Sequence, residues 1–332
     1  MRPQFALSIG GFSSDTESPV GLPVRIVVDR DMDTPADALR VTFGQSVAVA
    51  PGDPVELSLG YDKPEIAFTG TVTQVRPGLT GTDVWALGGT LALLRLRTSA
   101  GYESRDAGAI VSDLADQAGM DTGTIDAGEV LPAYAVDKSV SGYVHARALA
   151  DRFGFELYAD REGKLMFHAP EAQGGAATYT YGKDVLALAG ANRQAGLQPA
   201  VGGESPASDS GENTAHWLTI DELKGQAGDG SDALVLDPAA RTQDLADRFA
   251  TGLATVEQRT RQSIRLRVLG RPQAELGELV GADGDLAEGL SGSGYVRALR
   301  HLLDVRGGWT TELSVTTSAG GGDLLGAIGG LL

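Results

Sequence analysis

The sequence has no cysteine, which excludes disulfides and thiolate metal sites. Histidine is scarce too. Its four copies, His145, His168, His216 and His301, show neither an HExxH run nor paired-ligand spacing, so no metal site is expected. No apolar run approaches the roughly 20 residues that a membrane helix needs. The opening MRPQFALSIGG lacks the apolar core of a signal peptide and reads as a first strand. Synthesis in a cytoplasm, without membrane insertion, is expected. A basic patch is also missing: the net charge is −17 and acidic residues are in excess throughout. Direct nucleic-acid binding is therefore not expected, because little would neutralise phosphates.

Catalytic signatures are missing in the same way. There is no GxSxG elbow, no P-loop and no GxGxxG after a strand. The run DRDMD at 29–33 has the alternate acids of a calcium loop. Such a loop needs glycine at its sixth position and glutamate at its twelfth, where this chain has Thr34 and Arg40. The run reads as a solvated turn. The acid pairs Asp113 with Asp116 and Asp244 with Asp247 read as solvated helix faces, without the cleft that would raise one carboxylate pKa. No catalytic residue, cofactor or enzyme activity is expected.

What is present is β pattern. The chain has 332 residues, 42% of them hydrophobic, enough for two or three domains. Across 4–97, QFALSIG, PVRIVVDRD, ALRVTFG, PVELSLGY, IAFTGTVTQVR and DVWALGG alternate or carry β-branched residues between Pro and Gly punctuation. That pattern predicts a sandwich or small barrel. From 98 to 170 the pattern predicts a small α/β domain. One helix is capped by Ser104 or Asp106 and stopped by Gly119; a second starts after Ser141, puts a partly exposed His145 on its surface and ends at Gly154. A glycine- and aspartate-rich loop joins them, and a hairpin turns around Arg161-Glu162-Gly163. Strand character returns from 176, interrupted by polar loops and by a helix predicted over 238–258, with Asp237 as N-cap and Pro238 in the first turn. The chain ends in GGGDLLGAIGGLL.

The β pattern is written twice. Gly52, Asp53 and Val55 recur as Gly277, Glu278 and Val280; Gly70 with Val72 recurs as Gly294 with Val296; and Trp85 recurs as Trp309. The glycines are expected in turns and at close-packed strand starts, and the tryptophans in cores. The fold class expected is mainly β with α+β insertions, built on a duplicated β domain.

These pieces have a familiar order. GYDKPEIAFTGTVTQVRPG, VWALGGTLALLRLR, GYESRDAGAIVSDLADQAGM, SGYVHARALADRFGFELYADREGKLMFH and GYVRALRHLLDVRGGWTTELSV together resemble the central baseplate or tail-hub family. That family includes phage late-control protein D, contractile-tail hubs and the hub part of VgrG spikes. The resemblance implies two tail-tube-like β-barrels per subunit, at 1–97 and 171–318, flanking the α/β domain at 98–170. It implies a homotrimer whose six barrels form a pseudo-sixfold ring, adapting a hexameric tail tube protein to a trimeric spike, and contacts with other baseplate proteins. It further implies synthesis in a bacterial or archaeal cytoplasm, incorporation into a phage tail or injection-system particle, and acidic charge along the lumen. The chain ends after the second barrel, so the spike is expected to be a separate protein. The tail at 319–332 is expected to dock on it through Leu324, Leu325, Ile328, Leu331 and Leu332. The competing readings are a tail-associated cell-wall hydrolase, which needs a clustered acid or histidine site, and a distal-tail receptor-binding module, which needs aromatic loops.

Overall fold

The computed structural model describes residues 2–18, 21–170, 176–192, 197–203, 224–228, 231–259, 262–283 and 292–316. The first 88 residues form β1 (Gln4–Ile9), β2 (Phe12–Asp15), β3 (Pro23–Asp31), β4 (Ala38–Phe43), β5 (Pro54–Gly60), β6 (Glu65–Pro77) and β7 (Thr82–Gly88). Burial alternates along β4 and β7, with Leu39, Val41, Phe43, Val84 and Ala86 facing in, as a half-covered sheet requires. A short helix follows, α1 (Leu91–Arg95), in a stretch where the pattern had shown only strands.

The α/β portion comprises β8 (Ala100–Asp106), α2 (Ala107–Ala118), β9 (Thr122–Ile125), β10 (Val130–Val136), α3 (Gly142–Phe153), β11 (Glu156–Ala159) and β12 (Leu165–His168). Asp106 caps α2 by accepting from the Ala109 N–H at 2.8 Å, and Ser141 caps α3; Gly119 and Gly154 end them in the left-handed conformation. The loop expected between the helices is instead two strands. β9 pairs parallel to β12, and β10 pairs with β8. Four-residue length and Gly123 hid β9, and Pro132 hid β10.

The remainder forms β13 (Ala176–Thr180), β14 (Val185–Asn192), β15 (Leu197–Gly203), β16 (Lys224–Gln226), β17 (Ser231–Asp237), α4 (Gln243–Arg259), β18 (Gln262–Leu269), β19 (Leu279–Asp283), β20 (Gly292–Asp304) and β21 (Gly308–Thr316). The helix expected over 238–258 starts at Gln243 instead. Asp237 accepts from the Ala239 N–H at 2.9 Å and pairs with Arg152 at 2.6 Å, closing a turn. Thr242 supplies the helix cap by accepting from the Leu245 N–H.

Among the described residues thirteen strands join in one sheet, whose main path runs β14-β18-β21-β20-β3-β4-β7-β6-β5-β1-β2, with β19 on β20 and β13 on β19. Two six-strand units share one order: β3-β4-β7-β6-β5-β1, and β14-β18-β21-β20-β19-β13. They meet where β20 pairs antiparallel with β3. Among the described residues no pairing closes either unit on itself.

Among the described residues three apolar clusters hold the fold together. The first unit buries Phe43, Leu57, Phe68 and Val84, the second buries Leu266, Val296 and Leu313, and the α/β portion buries Ile110, Leu149 and Phe167. Helix α4 lies within the second half of the sequence, yet Leu245 and Phe249 pack into the α/β cluster, where Phe249 meets Phe153 edge-on at 5.5 Å.

Candidate assembly interface

The repeat is repeated geometry. Gly52 and Gly277 have φ of +100° and +83°, a conformation in which a Cβ is strained. Each glycine N–H donates to the carbonyl of a valine, Val72 or Val296, at 2.8 Å. The next residue, Asp53 or Glu278, accepts from the same valine's N–H at 2.9 or 3.0 Å. A bulge follows at the same place in both units, between Val72 and Gln74 and between Val296 and Ala298. A second pair of bulges matches as well, between Pro23 and Arg25 and between Val185 and Ala187. Bulges mark equivalent register positions, so β3, β4, β7 and β6 correspond residue by residue with β14, β18, β21 and β20. On that correspondence the Arg40–Asp83 pair of the first unit, at 3.4 Å, matches Arg265–Glu312 of the second, at 3.2 Å. Gly70 and Gly294 also correspond, each opposite a valine, Val55 or Val280. A Cβ on Gly70 would lie 2.3 Å from the Leu87 carbonyl oxygen, which explains the residue.

The tryptophans do not correspond. Trp85 lies opposite Gln74, and the matching pair in the second unit is Ala298 with Ser314. The β20–β21 hairpin extends to Asp304 and Gly308, beyond the point matching the Pro77–Thr82 end of the β6–β7 hairpin. Trp309 sits in that extension. Trp85 is not in a core. It is half-buried on the outward face, with the Arg40 and Arg76 guanidinium carbons 5.1 and 5.0 Å from its ring. Trp309 is 3% exposed and joins the cluster of the first unit, not its own, with its ring 5.1 Å from Tyr61. Met32 crosses in the other direction, from the β3–β4 turn into the cluster of the second unit. Each unit thus places a side chain in its partner's core.

Arginines fasten this junction from behind. Arg297, the bulged residue of β20, is 4% exposed; it donates to Glu156 at 2.7 Å and to both oxygens of Asp33. Burial raises the Asp33 pKa, but the hydrogen bonds and charge of Arg297 outweigh it and hold the carboxyl below its usual range. Arg30, on β3, bonds Asp37, Glu275 and the Ala159 carbonyl, each at 3.0 Å. Arg259 of α4 reaches Glu156 as well. The DRDMD run does end β3 and enter an exposed turn at Asp33 and Thr34, but two of its acids are paired. Asp29 pairs with Arg300, Asp33 with Arg297, and Met32 is fully buried.

Chemistry in the remaining candidate residues is already committed. His145 is buried, contrary to expectation, because its Nε2 lies 3.0 Å from the Asp137 carbonyl under the turn before α3. His168 contacts the Tyr158 hydroxyl. His301 is 2% exposed beside Thr311, and burial pushes its pKa down to about 3. Asp113 accepts from the Tyr102 hydroxyl and from Gln117. A cleft of about 710 Å³ is lined by Glu103, His145, Arg152 and Arg241 among tyrosines and apolar residues, and Arg152 is held by Asp237. His216 and the five apolar tail residues from Leu324 to Leu332 lie outside the described residues. The outward sheet face between Arg25 and Glu312 carries arginines paired with acids. On this face β4, β7 and β18 each carry charge of one sign, Arg40 in β4, Asp83 in β7, Arg265 and Arg267 in β18, so their pairing arises only across strands.

No protein-family model matches the chain, and no curated protein matches it in sequence. Solved structures do match its fold. The 43 kDa tail protein of prophage MuSo2 from Shewanella oneidensis is 17% identical, with a TM-score of 0.71 over 95% of this chain and 98% of its own. A tail protein from Neisseria meningitidis is 13% identical, with a TM-score of 0.74 over 96% and 97%. A component of the Escherichia coli type VI secretion system, itself similar to the bacteriophage T4 tail proteins gp27 and gp5, is 12% identical, with a TM-score of 0.60 over 94% and 77%. These structural neighbours are tail and secretion-machine proteins, and the fold is theirs.

Proposed function

We propose that the chain is the structural hub of a phage tail or contractile injection-system baseplate. Three copies form a ring that presents six similar sheet units to a hexameric tail tube and a threefold axis to a trimeric spike. Duplication within one chain converts threefold into near-sixfold symmetry with a single gene product. The units are residues 1–97 and 171–318, each curling into a tube-like barrel within the assembly, with the α/β portion at 98–170 facing other baseplate proteins. Gly52, Gly70, Gly277 and Gly294 set the register of the units. The tail at 319–332 contacts the spike.

The observation that carries this reading is the residue-by-residue correspondence of four strands in each of the two units, with matched turns and matched bulges. The likeness to tail proteins over nearly the whole chain supports it. The mass of the native chain tests it, measured alone and with its tube and spike proteins, for the full chain and for a chain ending at 319. A trimer burying about 2,000 Å² or more per contact is expected, with the shortened chain still trimeric but poorer in spike binding. A monomer in every mixture would overturn the proposal.

A further inference from the structure

The internal junction specifies how one copy meets the next. Strand β20 is long enough to serve two partners on one side: β19 along its first residues, and β3 from Ala298 to Asp304. Its counterpart β6 has β5 along its first residues, from Glu65 to Thr71, and the Gly52–Asp53 turn at Val72. Beyond Val72 that edge of β6 has no strand partner among the described residues. The counterpart of β3 is β14, which among the described strands pairs with β18 alone and ends the path of the sheet, with one isolated bridge from its first residue, Val185, to Tyr181. One chain therefore holds a closed junction, β20 with β3, and the two halves of an open one, β6 and β14.

The side chains agree. At the closed junction Leu299 is 2% exposed and Ile26 is 1% exposed. Their counterparts at the open edges are Val75 and Leu188, and both are only half-buried. Open strand edges invite pairing, and apolar residues beside them gain from being covered.

We propose that β6 of one copy pairs antiparallel with β14 of the next, in the register that the β20–β3 junction dictates. That register places Val75 opposite Asn192, Arg76 opposite Ala191 and Pro77 opposite Gly190 of the neighbouring copy. Pro77 has no N–H, so this ladder is one hydrogen bond shorter than the internal one. It also makes the contact between copies the weaker of the two junctions. The proposal rests on the trimeric reading above and adds the contact that builds it.

The absence of native cysteine allows a clean test. Facing antiparallel residues lie within disulfide reach. Full-length Arg76→Cys chains are mixed with full-length Ala191→Cys chains, alone and with the tube and spike proteins, then oxidised and run on a denaturing gel. A covalent pair of chains is expected, and Arg76→Cys with Ala187→Cys is expected to give at least tenfold less. The Asp29→Cys, Arg300→Cys double variant, at the matching internal positions, closes within one chain and reports intact folding. A trimer by native mass that links no more at 191 than at 187 would overturn the strand pairing and leave the hub reading standing. A chain that stays monomeric in all mixtures, while the internal control closes, would overturn both.

Discussion

The two sheet units agree where backbone hydrogen bonds decide and differ where side chains do. The glycine turns, both bulges and the strand order recur. The outermost strands do not, because β1 runs antiparallel to β5 and β13 parallel to β19. Nor do the residues at the bulge, Thr73 in one unit and Arg297 in the other. Thr73 Oγ1 donates to the Trp85 carbonyl at its own surface, whereas Arg297 reaches through to Glu156 of the α/β portion. The same backbone thus serves as an outer strand once and as the seat of a clamp once. Duplication supplied matching surfaces, and side-chain divergence assigned one to the inside of the chain and one to the outside.

Substitution at the bulge should expose that difference most sharply. Arg297→Ala removes the principal partner of Glu156, which is 0% exposed, and breaking a buried pair costs about 3–5 kcal/mol. Thr73→Ala loses one surface hydrogen bond, about 1 kcal/mol. Urea midpoints of the two variants measure the gap. Equal losses would mean that the clamp contributes nothing particular to the second unit.

The tryptophans sharpen the comparison next. Trp309→Ala empties a site shared across the junction and should cost about 3–5 kcal/mol, loosening both units in hydrogen exchange. Trp85→Ala removes two half-exposed arginine stacks, about 1 kcal/mol in total. Loss of protection confined to the second unit in Trp309→Ala would contradict the packing across the junction.

The tryptophans also mark the limit of what the sequence made legible. Gly52 and Gly277 could be read because the restraint is local: a turn that needs positive φ needs glycine wherever it occurs. The caps Asp106 and Ser141 were legible for the same reason. Trp85 and Trp309 have equal spacing from Gly70 and Gly294, but the spacing passes through hairpins of unequal length. With a period of two, that difference moved one ring to the outer face and the other into a core. The crossing of Trp309 and Met32, the clamp of Arg297 on Glu156 and the packing of α4 on α3 all join residues more than 80 positions apart. No local pattern encodes them. Asp237 accepts from the Ala239 N–H as a cap would, but it closes only a single turn, and the helix begins at Gln243 behind Thr242.

The smallest expected effect concerns acid. His301 matches Pro77, so only the closed junction carries a titrating group at this position. Its ring is buried with Thr311 and Trp309, 5.8 Å from the tryptophan, and the nearby guanidinium groups of Arg30 and Arg161 add to the burial that holds its pKa near 3. In the unfolded chain an ordinary histidine titrates near 6.5. Below that value the unfolded state binds a proton that the folded state refuses, so stability present above pH 6.5 falls as the pH drops toward 3. One proton corresponds to a slope of about 1.4 kcal/mol per pH unit. His301→Gln keeps a polar side chain beside Thr311 and removes the titration. Its urea midpoint should lie below the parent's at pH 7.5 and approach it by pH 5. Parallel pH profiles would show that protons reach the junction through other groups, and that the closed and open edges do not differ in this respect.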